Sequence, residues 1–441
     1  MIQPLLEQTD KAYTLEEHLC PNCNSKGLSL FYEVHNVPVH SCLMLPTQQE
    51  ALDFPCGDVV LGFCDHCGFI TNVAFDRKWS AYAPNYEDQQ SFSPTFNQFA
   101  LDLANRLIEK YDLHNKDIVE IGCSKGDFLL LLCELGNNCG VGIDPSAVPG
   151  RVKSEAADRV TFIQDYYSQR HAEYMGDFIC CRHTLEHIYP TAEFVQTVRD
   201  SMGSRLDTTV VLEIPDTTRV LQNLSFEDIY YEHCSYFTPG SLARLFRSCG
   251  FEVTDLYRAY GEQYLLIEAQ PVATPSHKIH PLEESQEQTA QNVKYFASHI
   301  QNKLTQWKQH LQQMHAQNKR VVVWGSGSKC VAFLTTLDTV DKIQYVIDIN
   351  PHRHGKFIPG VGKEIVPPEF LKEYKPDQVI VMNPIYCKEI KQTLDDMGVN
   401  AEIVGGKKNE LFSAARKHWN ARLQRGNFPE RGAKFTFSSD I

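Results

Sequence analysis

Two cysteine pairs, Cys20-Pro-Asn-Cys23 and Cys64-Asp-His-Cys67-Gly68, have a type and spacing that imply chemistry. Each CxxC turn presents two sulfurs from one tight loop, and four thiolates form a closed tetrahedral site for Zn2+, structural rather than catalytic. A second constellation is DIVEIGCSKGDF (117–128), where an apolar run reaches Glu120, passes Gly122 and Gly126, and opens a helical pattern at Phe128. About twenty residues on, CGVGID ends at Asp144. Glycines let backbone approach a bulky ligand, Glu120 suits a cationic group, and Asp144 stands where related folds set an acid against ribose hydroxyls. Together these fit an adenosyl group carrying a sulfonium, that is, S-adenosylmethionine. A third constellation lies in NLSFEDIYYEHCSYFTPGSL (223–242), where Tyr230, Glu232 and His233 fall within four residues. Histidine titrates near working pH, so His233 is a candidate general base with a carboxylate at hand to orient it. A solvated surface histidine is the ordinary alternative, but this segment is too aromatic for an idle surface loop.

These residues need elements to hold them. The pattern around 117–144 is strand, glycine turn, helix, strand, the opening of a doubly wound α/β sheet that binds ligands at the carboxyl ends of its strands. A third strand, VTFIQDYY (160–167), runs into Asp165 and Tyr166, candidates for the adenine amine and ring face. A fourth, GDFICCRHTLEHI (176–188), ends in Arg182, His183, Glu186 and His187, which then face the site, His183 on the cofactor side. TTVVLEIPD gives a fifth strand, and LIEAQ (266–270) is expected to close the sheet after the helix SLARLFRSC and its capping Gly250. Upstream, Ser93-Pro94 caps and opens a helix with Phe96, Phe99, Leu101, Leu103, Ile108 and Tyr111 at helical spacing. Tyr82 and Tyr86 sit in the loop feeding it, by default as packing residues.

Beyond a Pro-containing linker (270–281), a long polar helix over 284–318 carries Val293, Phe296, Ile300, Leu304, Trp307 and Leu311 at helical spacing and is expected to bridge domains. RVVVWGSGSKC and YVIDINP then repeat the strand, glycine turn and acid, with Asp348 as the acid. Cys330 occupies the third glycine position, so the dinucleotide fingerprint is incomplete. The turn Gly325-Ser326-Gly327-Ser328 suits phosphates held by backbone amides instead. PDQVIVMNPIYCKEI adds a strand ending at Asn383, whose turn faces the same cleft, and the basic tail beyond 420 reads as loosely ordered.

A chain of 441 residues, 42% hydrophobic and 22% charged, can bury a sizeable core in two or three domains. A formal net charge of −13 leaves no basic surplus for nucleic acid or anionic membranes. No window approaches the ~18 apolar residues of a membrane span. Fifteen cysteines without a secretory signal point to thiols and metal ligands in a cytoplasmic protein, with Cys42 and Cys56 as bystanders to the metal site.

The cysteine knuckles, EIGCSKGDF, GID, the loop tyrosines, YYEH and the C-terminal part together resemble the three-domain sugar C-methyltransferases of deoxysugar biosynthesis, over nearly the whole chain. The resemblance implies a zinc-binding domain (1–75), a class I methyltransferase domain with a Rossmann-like sheet (76–272) and a Rossmann-like substrate domain (273–441). Its Y-x-E-H pattern falls on Tyr230, Glu232 and His233, a loop tyrosine on Tyr86 or Tyr82, and a histidine after the fourth strand on His187. It implies enolate formation by a histidine base beside the ketone of a nucleotide-linked sugar, a dTDP-linked 4-keto-6-deoxyhexose methylated at C-3 by analogy, in a monomer or homodimer. The nucleotide sugar would be held by Gly325, Gly327, Ser328, Asp348 and Asn383. The family's usual YHEH has Tyr231 in second place, and its SSxS loop reads Gln90-Ser91-Phe92-Ser93, which bears on sugar identity. An O- or N-methyltransferase with the same cofactor domain is the alternative, and a non-catalytic scaffold would leave the intact acids around the glycine turn without a purpose.

Overall fold

The computed structural model describes residues 18–79, 81–174, 176–276 and 278–405. The tail beyond 420 and most of the N-terminal stretch lie outside the described residues. Strands run in chain order β1 (Leu28–Pro38), β2 (Cys56–Cys64), β3 (Ile70–Asn72), β4 (Asp117–Ile121), β5 (Cys139–Ile143), β6 (Val160–Ile163), β7 (Phe178–Arg182) and β8 (Thr209–Pro215). They continue as β9 (Ser235–Tyr236), β10 (Phe251–Ala259), β11 (Tyr264–Pro271), β12 (Val321–Trp324), β13 (Val346–Ile347), β14 (Ile365–Val366), β15 (Gln378–Val381) and β16 (Glu402–Val404).

The central sheet has the order β10-β11-β8-β7-β4-β5-β6, parallel except for β11 and β10. Its inner strands are continuous apolar runs because helices cover both faces, as a parallel sheet requires. LIEAQ falls within β11, but β11 lies between β8 and β10, so FEVTDLYRA and not LIEAQ forms the sheet edge. That strand was hidden in the sequence because Glu252, Thr254, Asp255 and Arg258 break its apolar run on the exposed side. The strand order reverses between β4 and β7, and Glu120 and Arg182 stand at that reversal, where open α/β sheets form a ligand crevice.

The turn after β4 needs its glycines for the protein's own packing. Gly122 has φ +72° and a Cβ there would lie 1.9 Å from Thr184 Oγ1; Gly126 has φ +89° and its Cβ would meet the Phe162 ring at 2.4 Å. The helix Asp127–Gly136 starts there and buries Phe128, Leu129 and Leu132. Helix Pro94–Tyr111 begins as expected, with Ser93 accepting from the Phe96 amide.

Between the cysteine knuckles, β1 and β2 pair antiparallel as a long hairpin, with Val59, Leu61 and Phe63 buried. This small sheet, β1-β2-β3-β9, borrows β9 from the segment that follows His233. The third sheet, β14-β13-β12-β15-β16, is all parallel and reverses between β12 and β15. Helix Gln286–Ala316, capped by Ser285, joins the layers: Phe296 packs edge-on against Phe31 and Tyr32, while Trp307 meets Phe333.

Candidate active site

One cavity of about 940 Å³ opens between the three sheets. Residues at the reversal of the central sheet (Glu120, Gly122, Asp144, Arg182) and of the third sheet (Gly325, Asp348, Asn383) both line it. Phe128, Asp165, Tyr166, His183, His187, Tyr82, Tyr86, Tyr230, His233, Gly327 and Ser328 also line it. The structure thus brings together residues spread over some three hundred positions.

The cofactor end is shaped by Asp144, whose oxygens accept the amides of Ser124 (2.8 Å) and Ser146 (2.6 Å). This leaves further lone pairs on each oxygen for ribose hydroxyls. Glu120 is 3% exposed and its Oε2 has no hydrogen-bond partner among the described residues. Burial raises its pKa to about 8, only partly opposed by Arg182. An orphaned buried carboxylate beside a glycine turn is a seat for an ammonium group, and the S-adenosylmethionine amino group fits it. Asp165 is tied to Arg170 and His171, and the Tyr166 hydroxyl accepts the Tyr82 amide at 2.8 Å. His183 is committed differently from the sequence expectation. Its Nε2 lies 2.8 Å from Glu213 and its Nδ1 3.5 Å from Glu186; burial opposes the charge, but the two carboxylates raise its pKa to about 9. It is a charged strut between β7 and β8 as well as a cavity wall.

At the other end, Tyr230 Oη lies 2.7 Å from His233 Nε2, Tyr82 Oη lies 2.8 Å from His187 Nδ1, and the two imidazoles meet edge to face at 4.8 Å between centroids. Of the two loop tyrosines, Tyr82 makes the histidine contact, while Tyr86 packs edge-on against Tyr82 and His40. Burial, then the neighbouring His187, His183 and Lys329, hold the His233 pKa well below 6.5, so the ring is neutral. Burial first, and nearby carboxylates second, push Tyr82, Tyr86 and Tyr230 well above 10; all three are phenols able to donate.

Glu232 does not orient His233. Its carboxylate turns to the N-terminal sheet, where His40 Nδ1 lies 3.1 Å from Oε1, and the Ser41 amide (2.9 Å) and hydroxyl bind Oε2. Burial opposes its ionisation, yet these contacts hold its pKa below the usual carboxylate range. Ser41 Oγ in turn bonds Ser328 Oγ at 2.6 Å, so Glu232 ties all three layers at one point. The local backbone explains the turnabout: residues 230–233 form a tight turn closed by the His233 amide on Tyr230 O (3.2 Å), so Glu232 at its corner and His233 at its end leave the chain in different directions. The carboxylate that accompanies His233 is Glu186, which with His187 and His233 forms a group of donor atoms all within 4.8 Å of one another.

In the third sheet's turn, Asp348 receives the Ser326 amide (2.8 Å) and hydroxyl (2.5 Å), the Asn350 amide (2.8 Å) and Arg353 (3.3 Å), so it builds the turn from behind. Asn383 caps the short turn Pro384–Tyr386. Sequence reading passed over Arg353, Lys329 and His40. Arg353 is buried against Glu87 O and Cys42, which lines the cavity rather than idling, and Lys329 pairs with Asp228 beside Arg219. A lysine directly after the glycine turn was the one signal available for this group.

The four knuckle sulfurs all lie within 4.8 Å of one another, with Cys20–Cys67 and Cys23–Cys64 at 3.7 Å. A tetrahedron with ~2.3 Å metal–sulfur bonds has edges of about 3.8 Å, so the cluster is shaped for Zn2+. Gly68 takes φ +76°, as its place after the second pair requires. The cluster sits against the core of the central sheet, and β3 beyond it grips the segment after His233: Thr71 Oγ1 and the Asn72 amide both bind Cys234 O at 2.9 Å.

Residues 91–256 match the family described as a methyltransferase domain, and residues 268–402 match the C-methyltransferase C-terminal domain. This tandem decides the class. The chain is an S-adenosylmethionine-dependent C-methyltransferase. It is 26% identical over 304 residues to the C-methyltransferase NovU of Streptomyces niveus, covering 65% of this chain and 71% of that one. Among solved structures, the Synechocystis PCC 6803 magnesium protoporphyrin IX methyltransferase with bound S-adenosylhomocysteine is 16% identical, with a TM-score of 0.33 over 42% of this chain and 90% of that one. The Burkholderia thailandensis 1,6-didemethyltoxoflavin-N1-methyltransferase is likewise 16% identical, with a TM-score of 0.30 over 41% and 81%. Among the described residues of the methyltransferase, no helix is long and apolar enough to cross a membrane.

Proposed function

We propose that this C-methyltransferase acts on the carbon beside the ketone of a nucleotide-linked 4-keto-6-deoxy sugar, through an enolate formed by His233. The observation that carries the reading is a buried, neutral histidine bonded to a tyrosine and facing a cavity that two sheet reversals share. A ketone acidifies the adjacent C–H, so one base suffices. His233 takes that proton onto a ring nitrogen, and the C–H electron pair becomes the enolate. Tyr230 and Tyr82 or Tyr86, all held protonated, donate to the enolate oxygen. Glu186 stands close enough to balance the imidazolium, and His187 assists from its bond to Tyr82.

S-adenosylmethionine supplies a methyl group on a sulfonium, which leaves readily. Glu120 would hold its amino group, the turn Gly122–Gly126 its backbone face, Asp144 its ribose, and Asp165 with Tyr166 its adenine. The protein's task at this step is alignment. The turn Gly325–Ser328, with Arg353 and Lys329, would hold the substrate's phosphates, a dTDP sugar by family analogy with methylation at C-3.

The four cysteines would hold a structural Zn2+, whose role here is to fix β3 and through it the His233 segment. The functional units are then 1–75, 76–272 and 273–441, in a cytoplasmic monomer or homodimer. The test is purified protein with S-adenosylmethionine and a panel of dTDP-4-keto-6-deoxy sugars in D2O. Deuterium wash-in at the α-carbon and a C-methyl product, both lost in His233→Ala with cofactor affinity retained, are expected. Methyl transfer to oxygen or nitrogen without exchange would overturn the reading.

A further inference from the structure

Glu186 presents an unusual combination: it is 2% exposed, yet neither carboxylate oxygen has a hydrogen bond among the described residues. Among the described residues its one ion-pair partner is His183 Nδ1 at 3.5 Å. A buried carboxylate left in this condition costs stability unless a cation or proton donor meets it at work. The donors beside it are His187 and His233, with one nitrogen of each and one oxygen of Glu186 within 4.8 Å of one another.

Each imidazole has one nitrogen held by a tyrosine: Tyr82 hydroxyl on His187 Nδ1, Tyr230 hydroxyl on His233 Nε2. If those nitrogens carry the protons, Nε2 of His187 and Nδ1 of His233 keep their lone pairs. Metal-binding histidines are oriented in this way, by a partner on the far nitrogen that fixes tautomer and ring plane. All three residues line the cavity, so an ion has a way in and would keep coordination positions open toward it.

We propose that Glu186, His187 and His233 form a second metal site, distinct from the four cysteines, that takes a divalent d-block ion such as Zn2+ or Co2+ and shuts the enzyme off. Two histidines and one carboxylate are an N/N/O set that such ions prefer over Mg2+ or Ca2+. The inhibition follows from the electron count: a His233 lone pair given to a metal cannot take a proton from carbon. Two imidazoles and one carboxylate hold such an ion more weakly than a closed set of four thiolates, so occupancy is reversible. The inhibitory part rests on His233 being the base; the binding part does not.

The experiment is calorimetric titration of the full chain, its cysteine site filled, with ZnCl2, repeated with CoCl2 while recording the visible spectrum. One further equivalent is expected, with the weak d–d absorption of nitrogen and oxygen ligands and no thiolate charge-transfer band. Glu186→Gln and His187→Asn, which each remove a direct ligand, should weaken that equivalent sharply or abolish it. Thermal melting of both variants checks that they fold, and Tyr82→Phe, which removes only the far-side partner, should give a smaller loss in the same direction. No further equivalent, or one unmoved by either ligand substitution in a folded variant, overturns the site. With the site established, turnover should fall with occupancy and return on mild chelation. Turnover that survives full occupancy overturns the inhibition and removes His233 as the base, while metal binding stands.

Discussion

Glu120 offers a test of the cofactor end that does not involve catalysis. Its carboxyl titrates near pH 8 in the empty site because burial outweighs the pull of Arg182. At pH 7 about 0.9 of the molecules therefore hold a proton there, which must leave when the S-adenosylmethionine ammonium docks against the carboxylate. Isothermal titration in buffers of different ionisation enthalpy reads this directly, since the slope of apparent binding enthalpy against buffer enthalpy is the number of protons exchanged. The cofactor's own α-amino group, with an ordinary pKa of about 7.7–8.0, takes up a minor fraction of a proton, and the difference between wild type and Glu120→Gln isolates the Glu120 share. Below pH 8 the wild-type affinity should weaken by up to tenfold per pH unit, about 1.4 kcal/mol, and the dependence in Glu120→Gln should be much flatter. The same shift has a sign for folding. An acid whose folded pKa is raised from 4.5 to about 8 holds its proton more tightly in the folded state, so the empty enzyme loses stability as pH rises through that window. Glu120→Gln removes the penalty and should stabilise the empty protein at pH 7 by about 3 kcal/mol, with little effect near pH 4. A proton count and a stability profile that are the same in both proteins would refute the reasoning.

Replacing Cys20 with Ser should lower the melting temperature and the metal content together, and should cost turnover through the loosened β3 grip on Cys234; an active variant lacking metal would sever the link between the cysteine cluster and His233. Glu232→Gln breaks charge-assisted bonds to His40 and Ser41, for a loss of about 2 kcal/mol in stability and a lower kcat with unchanged cofactor affinity, read by melting curves and titration. His40→Ala should reproduce part of that loss, and the double variant should be less than additive. Gly126→Ala forces a Cβ into Phe162 at φ +89°, a cost of about 1–3 kcal/mol with weakened cofactor binding, and Phe162→Ala should restore part of the binding if the clash is the cause.

What the sequence disclosed follows from how local each signal is. The glycine turn after β4, the Ser93 cap and the CxxC turns are written in a few adjacent residues, because each solves a backbone problem within one turn. The edge strand β10 was not legible, since one face is wet and its charges interrupt the apolar run. The long hairpin β1–β2 was obscured for a related reason: its exposed face carries Glu33, His35 and Asp58, and two register shifts break the alternation. Site residues divide in the same way. Tyr230, Glu232 and His233 announce themselves as a cluster, but adjacency misleads about their roles: the tight turn they form sends Glu232 to His40 and His233 to the cavity. The carboxylate near the base comes instead from Glu186, forty-seven residues upstream, brought there because β7 and β8 are adjacent strands and the Cys234 amide bonds Glu186 O at 3.0 Å. His40, Arg353 and Lys329 arrive from the flanking layers, and no local pattern could connect them to β7. The division has a physical basis: backbone conformation is decided by near neighbours, whereas the electrostatics of this cavity is decided by which chain ends the three sheets turn toward one another. Substitutions within the knuckles or glycine turns should therefore act first on folding or cofactor binding. Those at the point where the layers meet, Glu232 with Ser41 above all, should act on the rate of proton removal, because they set the position of His233 without touching either ligand.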